Sequence, residues 1–429
     1  MNLQEQLTEL ARRAKAAARA LALLNTAEKN QCLLAMADRL EQQTSALLEA
    51  NREDMQAAEA AGLRPAMLDR LRLDAGRVQA MARGLREVAA LPDPVGRILD
   101  ERVRPNGLRL RKVTVPIGVI VIIYEARPNV TADAAGLCFK SGNATILRGG
   151  REAFHTNRLI AALLVQAGQA ALGQRFPAEA IQLVPTAERE AIPILLSLTS
   201  YVDLCIPRGG EGLIRAVAEC SRVPVIKHYK GVCHVYVDRD ADPDMAERIV
   251  INAKCQRPAV CNAMETLLVD RSIAAQFLPR VGAELARRKV QLRADAEAIR
   301  LLSGVRTEPP LELRPAIEQD WYTEYNDLIL NVRVVNGVQE AIEHINQYGS
   351  AHSDAIVTAN ETTAQRFLNG VDAAAVYWNA STRFTDGGEF GMGAEIGIST
   401  DKVGARGPMG LEELTSYKWI GIGQGQIRT

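Results

Sequence analysis

Apolar residues recur at three- and four-residue spacing through the first ninety positions. The stretches "LQEQLTELARRAKAAARALALL", "TAEKNQCLLAMADRLEQQTSALLEANREDMQAAEAAG" and "AMLDRLRLDAGRVQAMARGLREVAAL" therefore predict amphipathic helices. The segment "PDPVG" (92–96) ends that pattern. Next, "LRLRKVTVP" alternates apolar with charged or polar residues, as a half-exposed strand does at an edge or in a hairpin suited to self-association.

Past position 115 the period switches. Short β-branched runs ("PIGVIVIIY", "NATILRGG", "IQLVP", "VDLCIP", "VPVIKHY") alternate with helical stretches ("NVTADAAGLCFKSG", "REAFHTNRLIAALLVQAGQAAL", "EREAIPILLSL", "GEGLIRAVAECS"). A second series follows, with "HVYVD", "METLLVD", "DLILNVRVV", "DAIVTAN" and "AAVYWNA" as strands and "PDMAERIVINAKCQ", "SIAAQFLPRVGAELARRK" and "GVQEAIEHINQYG" as helices. This is the rhythm of βαβ units, so the expected fold class is α/β, with two parallel-sheet domains in tandem and a boundary near Gly231.

Composition narrows the function. The 429 residues are 47% hydrophobic and 24% charged, a balance that builds sizeable cores and excludes a disordered or fibrous chain. Lys+Arg and Asp+Glu both number 51, so no net field draws the chain to nucleic acid or to an anionic membrane. The first residues lack the basic start, apolar run and small-residue site of a secretory signal, and "PIGVIVIIY" is too short to span a bilayer. Seven scattered cysteines without a C-x-x-C pair argue against a disulfide framework and suit a reducing cytoplasm. With five histidines and no H-E-x-x-H cluster, no metal site is expected.

Polar residues just after a strand are where open α/β sheets take ligands. "ILRGGRE" sets Arg148, Gly149, Gly150 and Arg151 between a strand and a helix start, and "LCIPRGGEGLI" repeats this with Arg208, Gly209 and Gly210. Each reads alone as a glycine turn with solvated arginines; two in one βαβ domain suggest a dinucleotide, although neither is a G-x-G-x-x-G fingerprint. "YEARPNV" follows the most apolar strand, and burying Glu125, Arg127 and Asn129 together would be costly, so they are candidates to line a cleft; a surface Glu125–Arg127 pair is the alternative.

The segment "NAKCQRPAVCNAMETLLV" carries two thiols. Free cysteines are usually small buried hydrophobes, a reading open to both. Cys255 falls at the end of a helical pattern, whereas Cys261 follows the helix-ending Pro258 and precedes the strand "METLLVD". A thiol on such a turn can meet a ligand, and Lys254 and Arg257 are cations suited to lowering a thiol pKa.

"PIGVIVIIYEARPNVTADAAGLCFKSGNATILRGG", "NAKCQRPAVCNAMETLLV", "TEYNDLILNV" and "VYWNASTRFTDGGEFGMGAEIGIST" together resemble the aldehyde dehydrogenase superfamily, and over essentially the full chain its branch acting on L-glutamyl 5-phosphate. The resemblance implies an aldehyde dehydrogenase-like fold: an NADP-binding domain at 1–97 and 116–230, a catalytic domain at 231–405, and a small β oligomerisation flap from 98–115 and 411–429. It implies Cys261 as nucleophile, by its eight-residue distance to Val269, with Cys255 incidental. Glu324 falls where relatives hold the nicotinamide ribose. Arg148 replaces a ribose-binding lysine, and Arg151 stands where NAD-specific relatives often carry an acid, which implies NADPH/NADP+. Aligning "KHYKGVCHVYVDRDAD" on the superfamily's glycine turn puts His228 where aldehyde oxidisers carry the glutamate that activates water, so the acyl group is expected to pass to phosphate. An ungapped alignment puts Glu125, rather than Asn129, opposite the oxyanion asparagine, leaving Asn129 as a candidate only if the turn is re-aimed. Arg127 and Arg257 are candidates for the substrate's carboxylate or phosphate. The resemblance further implies a homo-oligomer and, as a partner, the glutamate kinase that supplies the acyl phosphate.

Overall fold

The computed structural model describes residues 1–428, with the side chain of Ala66 left aside. The chain forms two compact units, one from residues 1–227, 391–397 and 409 onward, the other from 228–390 and 398–408. The stretch 391–397, placed by the sequence reading in the catalytic domain, clusters with the first unit.

The first unit opens with five helices, Leu3–Leu21, Thr26–Gln42, Thr44–Ala60, Pro65–Leu71 and Ala75–Ala90. Asn2 and Asn25 start the first two through capping boxes with Glu5 and Glu28, each pair satisfying two backbone donors that have no partner inside the helix. The continuous pattern after residue 26 breaks at Gln43, whose backbone leaves the helical region, so one expected helix is two.

Four parallel strands form this unit's sheet, in the order Ile181–Leu183, Ala144–Arg148, Val119–Tyr124, Leu204–Arg208. Val119–Tyr124 lies inside it with all six residues buried, which is why its sequence runs apolar without alternation. The strand expected in "VPVIKHY" is a single bridge from Val225 to Cys205. Pro224 has no N–H with which to continue a ladder. A separate antiparallel sheet joins Ile98–Val103, Arg109–Pro116 and Thr415–Ile422, the last pairing from Thr415 opposite Pro116 to Ile422 opposite Arg109.

The second unit carries a seven-stranded, wholly parallel sheet. Its order is Leu313–Pro315, Gln291–Ala294, Ile329–Val335, Met264–Asp270, Cys233–Val237, Ser353–Val357, Ala375–Trp378. Met264–Asp270, Cys233–Val237 and Ser353–Val357 are adjacent and buried along their whole length, with Met264 paired to Cys233 and His234 to Asp354. Their amino ends consequently open side by side on one edge of the sheet.

Candidate active site

In the second unit the helix Pro243–Cys255 ends at Cys255, and Pro258 lies on the turn that leads into Met264–Asp270. Cys261 sits on that turn, half-buried, while the neighbouring Asn262 pins it. The Asn262 amide donates to the Thr385 carbonyl at 2.8 Å, its own carbonyl accepts from the Thr382 hydroxyl at 2.8 Å, and Arg383 bonds its side-chain oxygen. From below, Gly231 presses directly against the Cys261 backbone; a Cβ there would lie 1.8 Å from the Cys261 carbonyl oxygen.

Two histidines complete the surroundings of the sulfur. His228 precedes the strand Cys233–Val237 and His352 precedes Ser353–Val357, so neighbouring strands deliver them to the edge where Cys261 enters the third. The ligating atoms of His228, Cys261 and His352 all lie within 4.8 Å of one another. His228 donates from Nδ1 to the Ile398 carbonyl at 2.9 Å, because a carbonyl can only accept, and this leaves Nε2 as the basic nitrogen. His352 is fully buried, and burial, with His228 beside it, pushes its pKa down to about 3, so its ring is neutral.

Arg383 donates from Nε to the Gln256 side chain at 2.8 Å. Burial lowers its pKa, nearby Arg257 adds to that, and Asp386 and the Cys261 sulfur oppose it. The Arg383 guanidinium therefore stands within electrostatic reach of the thiol, with Arg257 beside it, and the Arg383 charge favours the ionised form. Of these, Arg257 was expected from the sequence and Arg383 was not, though it lies inside the quoted "NASTRFTDGG". Lys254 turns away from this role: it is fully buried in an ion pair with Glu265 at 2.7 Å. Burial pushes Glu265 up against the pull of Lys254, and Glu324, a half-buried loop residue, adds a like charge beside it. Cys255 is half-buried and burial raises its thiol pKa; Cys233 is fully buried and raised further.

The first unit holds a cavity of about 1090 Å³, lined by Glu125, Arg148, Gly150, Arg151, Glu152 and the loop 186–190 among others. Arg148 donates to the Ala187 and Glu188 carbonyls at 2.8 and 3.3 Å, and its Nε is buried without a partner. Arg151 and Arg189 are exposed at the same cavity. Three guanidinium groups, one with an unused donor, beside carboxylates able to take ribose hydroxyls, fit a nucleotide bearing phosphates. Gly149, Arg208, Gly209 and Gly210 do not line this cavity. The Gly210 N–H donates to the Glu125 carboxylate at 3.0 Å, and Gly209 leaves room for that carboxylate, which would lie 2.7 Å from a Cβ. Arg127 is exposed at the end of the buried strand. Asn129 gives its amide to Asp133 at 2.8 Å, whose carboxyl burial pushes up to about 6. Asn129 and Cys261 belong to different units.

A second buried imidazole contributes to the loss of stability in acid. His344 accepts from Arg333 at 3.0 Å, and burial, with His234 and Arg333 nearby, pushes its pKa down to about 2. The folded state binds its proton less readily than the unfolded chain does, so stability is lost as pH falls below about 6.5. Urea titrations at pH about 7, 6 and 5 are expected to show His344 contributing a loss approaching about 1.4 kcal/mol per pH unit below its unfolded pKa, with a shallower slope in His344→Gln. Equal slopes in the two proteins would refute this.

A half-buried thiol on a turn ahead of one parallel sheet, and a nucleotide-sized cavity holding three arginines beside another, are the arrangement of a thiol-dependent dehydrogenase. The chain belongs to the aldehyde dehydrogenase family, whose sequence profile matches residues 2–299. Within it, the full-length relatives are gamma-glutamyl phosphate reductases. That of Opitutus terrae is 57% identical over 429 residues, covering 100% of this chain and 99% of the relative, and that of Moorella thermoacetica is 56% identical, covering 100% of both. The crystal structure of the gamma-glutamyl phosphate reductase from Thermotoga maritima superposes with a TM-score of 0.95 at 42% identity, covering 99% of this chain and 100% of that one.

Proposed function

We infer that the chain reduces L-glutamyl 5-phosphate to L-glutamate 5-semialdehyde and phosphate, with NADPH as reductant, in the synthesis of proline. The observation that carries the reading is the setting of Cys261: a thiol on a constrained turn, within electrostatic reach of the Arg383 guanidinium and with its sulfur within 4.8 Å of a ring nitrogen of His228, which gives its Nδ1–H to a backbone carbonyl. His228 Nε2 takes the thiol proton. The thiolate attacks the acyl carbon, the C–O bond to phosphate breaks, and a Cys261 thioester forms. Arg257 and Arg383 hold the departing phosphate through charge-assisted hydrogen bonds. The Cys261 backbone N–H supports the charge on the carbonyl oxygen. A nicotinamide cofactor, as used across the family, supplies the hydride that reduces the thioester. Cys261 then leaves as thiolate and the aldehyde is released.

Arg148, Arg151 and Arg189 would hold the nucleotide's phosphates, and the second cation at Arg151 favours the extra phosphate of NADPH over NADH. Glu324 takes the nicotinamide ribose by family resemblance. The exposed Ile98, Val103, Tyr417, Trp419 and Ile422 on the antiparallel sheet suit self-association. The seven scattered cysteines without a C-x-x-C pair suit a reducing, cytoplasmic setting; among the described residues no helix is long and apolar enough to cross a membrane. Acyl phosphates hydrolyse readily, which favours direct supply by glutamate kinase.

The test runs the reaction backwards. Glutamate semialdehyde with NADP+ is expected to yield NADPH only when inorganic phosphate is present, and more slowly with NAD+. Equal NADPH in phosphate-free buffer would overturn the reading, because the acyl group would then be passing to water.

A further inference from the structure

We propose that Cys261, His228 and His352 form a binding site for a borderline-soft divalent cation, zinc above all, whose occupancy reversibly blocks the nucleophile. The three residues are 33 and 91 positions apart in sequence order and meet only because they precede three adjacent strands of one sheet. One thiolate and two imidazoles are donors that prefer zinc to magnesium or calcium, which bind oxygen.

The geometry is close to that of a bound ion. A tetrahedral zinc with bonds of about 2.0 Å to nitrogen and 2.3 Å to sulfur sets its ligands roughly 3.4 to 3.6 Å apart. The donor atoms here lie within 4.8 Å of one another, so a contraction of about 1 Å closes the site. The His228 and Cys261 side chains are half-buried, so rotation about their side-chain bonds supplies that movement while the turn keeps its backbone position.

His352 supplies the fixed corner. Its Nδ1 is engaged by the Ser353 hydroxyl at 2.8 Å, and its Nε2 is buried without a partner. A buried nitrogen left unsatisfied is unfavourable, and a metal bond would relieve it. His228 has the complementary arrangement: Nδ1–H to a backbone carbonyl, the usual outer partner of a zinc-bound histidine, which leaves Nε2 as its ligating nitrogen. Binding exchanges the Cys261 S–H proton for zinc, with the proton released to solvent and no change in oxidation state. The Arg383 charge opposes a cation here, which makes the site an inhibitory one that empties on chelation rather than a resident centre.

Chelator-buffered ZnCl2 and the full-length chain provide the test. Equilibrium dialysis is expected to find one tight zinc per chain, with affinity falling at least about 100-fold in Cys261→Ser and in His352→Gln, more than the loss of an outer-shell partner causes. Cobalt substitution of the unaltered protein should show a thiolate-to-cobalt charge-transfer band in the near ultraviolet, so the result does not depend on His352→Gln folding. Zinc should also protect Cys261, and not Cys255, from iodoacetamide. A zinc stoichiometry unchanged in Cys261→Ser, a cobalt spectrum without the thiolate band, or undiminished alkylation of Cys261 under saturating zinc would each overturn the proposal. None of these readouts measures turnover, so they stand apart from the acyl-phosphate assignment.

Discussion

Cys261→Ala is expected to lower turnover by at least about 10⁴-fold, the scale seen when a covalent nucleophile is removed and only binding and oxyanion stabilisation remain. Cys255→Ala should stay within about twofold of the unaltered protein, since a half-buried thiol at a helix end contributes packing of about 1 kcal/mol or less. The contrast is what carries the argument. Both thiols lie in one seven-residue stretch, near the same cations in sequence, yet Lys254 is consumed by Glu265 and burial raises the Cys255 pKa. Cys261 is left with Arg383 and the histidines. Turnover and stoichiometric alkylation by iodoacetamide, measured on both variants, decide it: a Cys255→Ala protein that loses activity while Cys261→Ala retains it would transfer the nucleophile to the helix end and dissolve the mechanism.

Much of this was legible beforehand because it rests on local rules. Apolar spacing marks the opening helical region, although two of its three stretches each form two helices, β-branched runs mark the buried strands, and Pro258 separates the two cysteines by ending a helix. What was not legible depends on strand order. Nothing in one sequence says that the strands after His228, Cys261 and His352 lie side by side, so the sequence reading expected no cluster of metal-ligating residues and passed over His352 and Arg383. A polar residue within a few positions of each buried strand's amino end was the available signal; the search for ligands at carboxyl ends pointed the other way. The second gap concerns hydrogen-bond commitment. Asn129 gives its amide to Asp133, and Glu125, while lining the cavity, also takes the Gly210 N–H. Such pairings need coordinates, because partners such as Glu125 and Gly210 are distant in sequence.

Gly231→Ala is expected to cut turnover about 100-fold, the cost of moving a reacting group by about 1 Å. The added Cβ would fall 1.8 Å from the Cys261 carbonyl oxygen, 2.5 Å from its carbonyl carbon and 2.7 Å from its Cα. These are backbone atoms, so no rotamer change relieves the overlap. Either the Cys261 turn or the start of the strand Cys233–Val237 must shift, and that strand is buried along its length and paired on both sides. The turn is the softer partner, although Asn262 holds it to 382–385, and its displacement moves the sulfur away from His228 and Arg383. Nucleotide binding at the Arg148 cavity should persist, since its residues belong to the other unit. Gly304→Ala is the matched control, an exposed position in the same unit where a Cβ meets nothing within 4 Å. Steady-state rates, cofactor titrations and the rate of Cys261 alkylation on both variants test this. If Gly231→Ala keeps turnover within about threefold, the nucleophile is not positioned by this contact, and the glycine that the alignment on "KHYKGVCHVYVDRDAD" singled out serves only the turn.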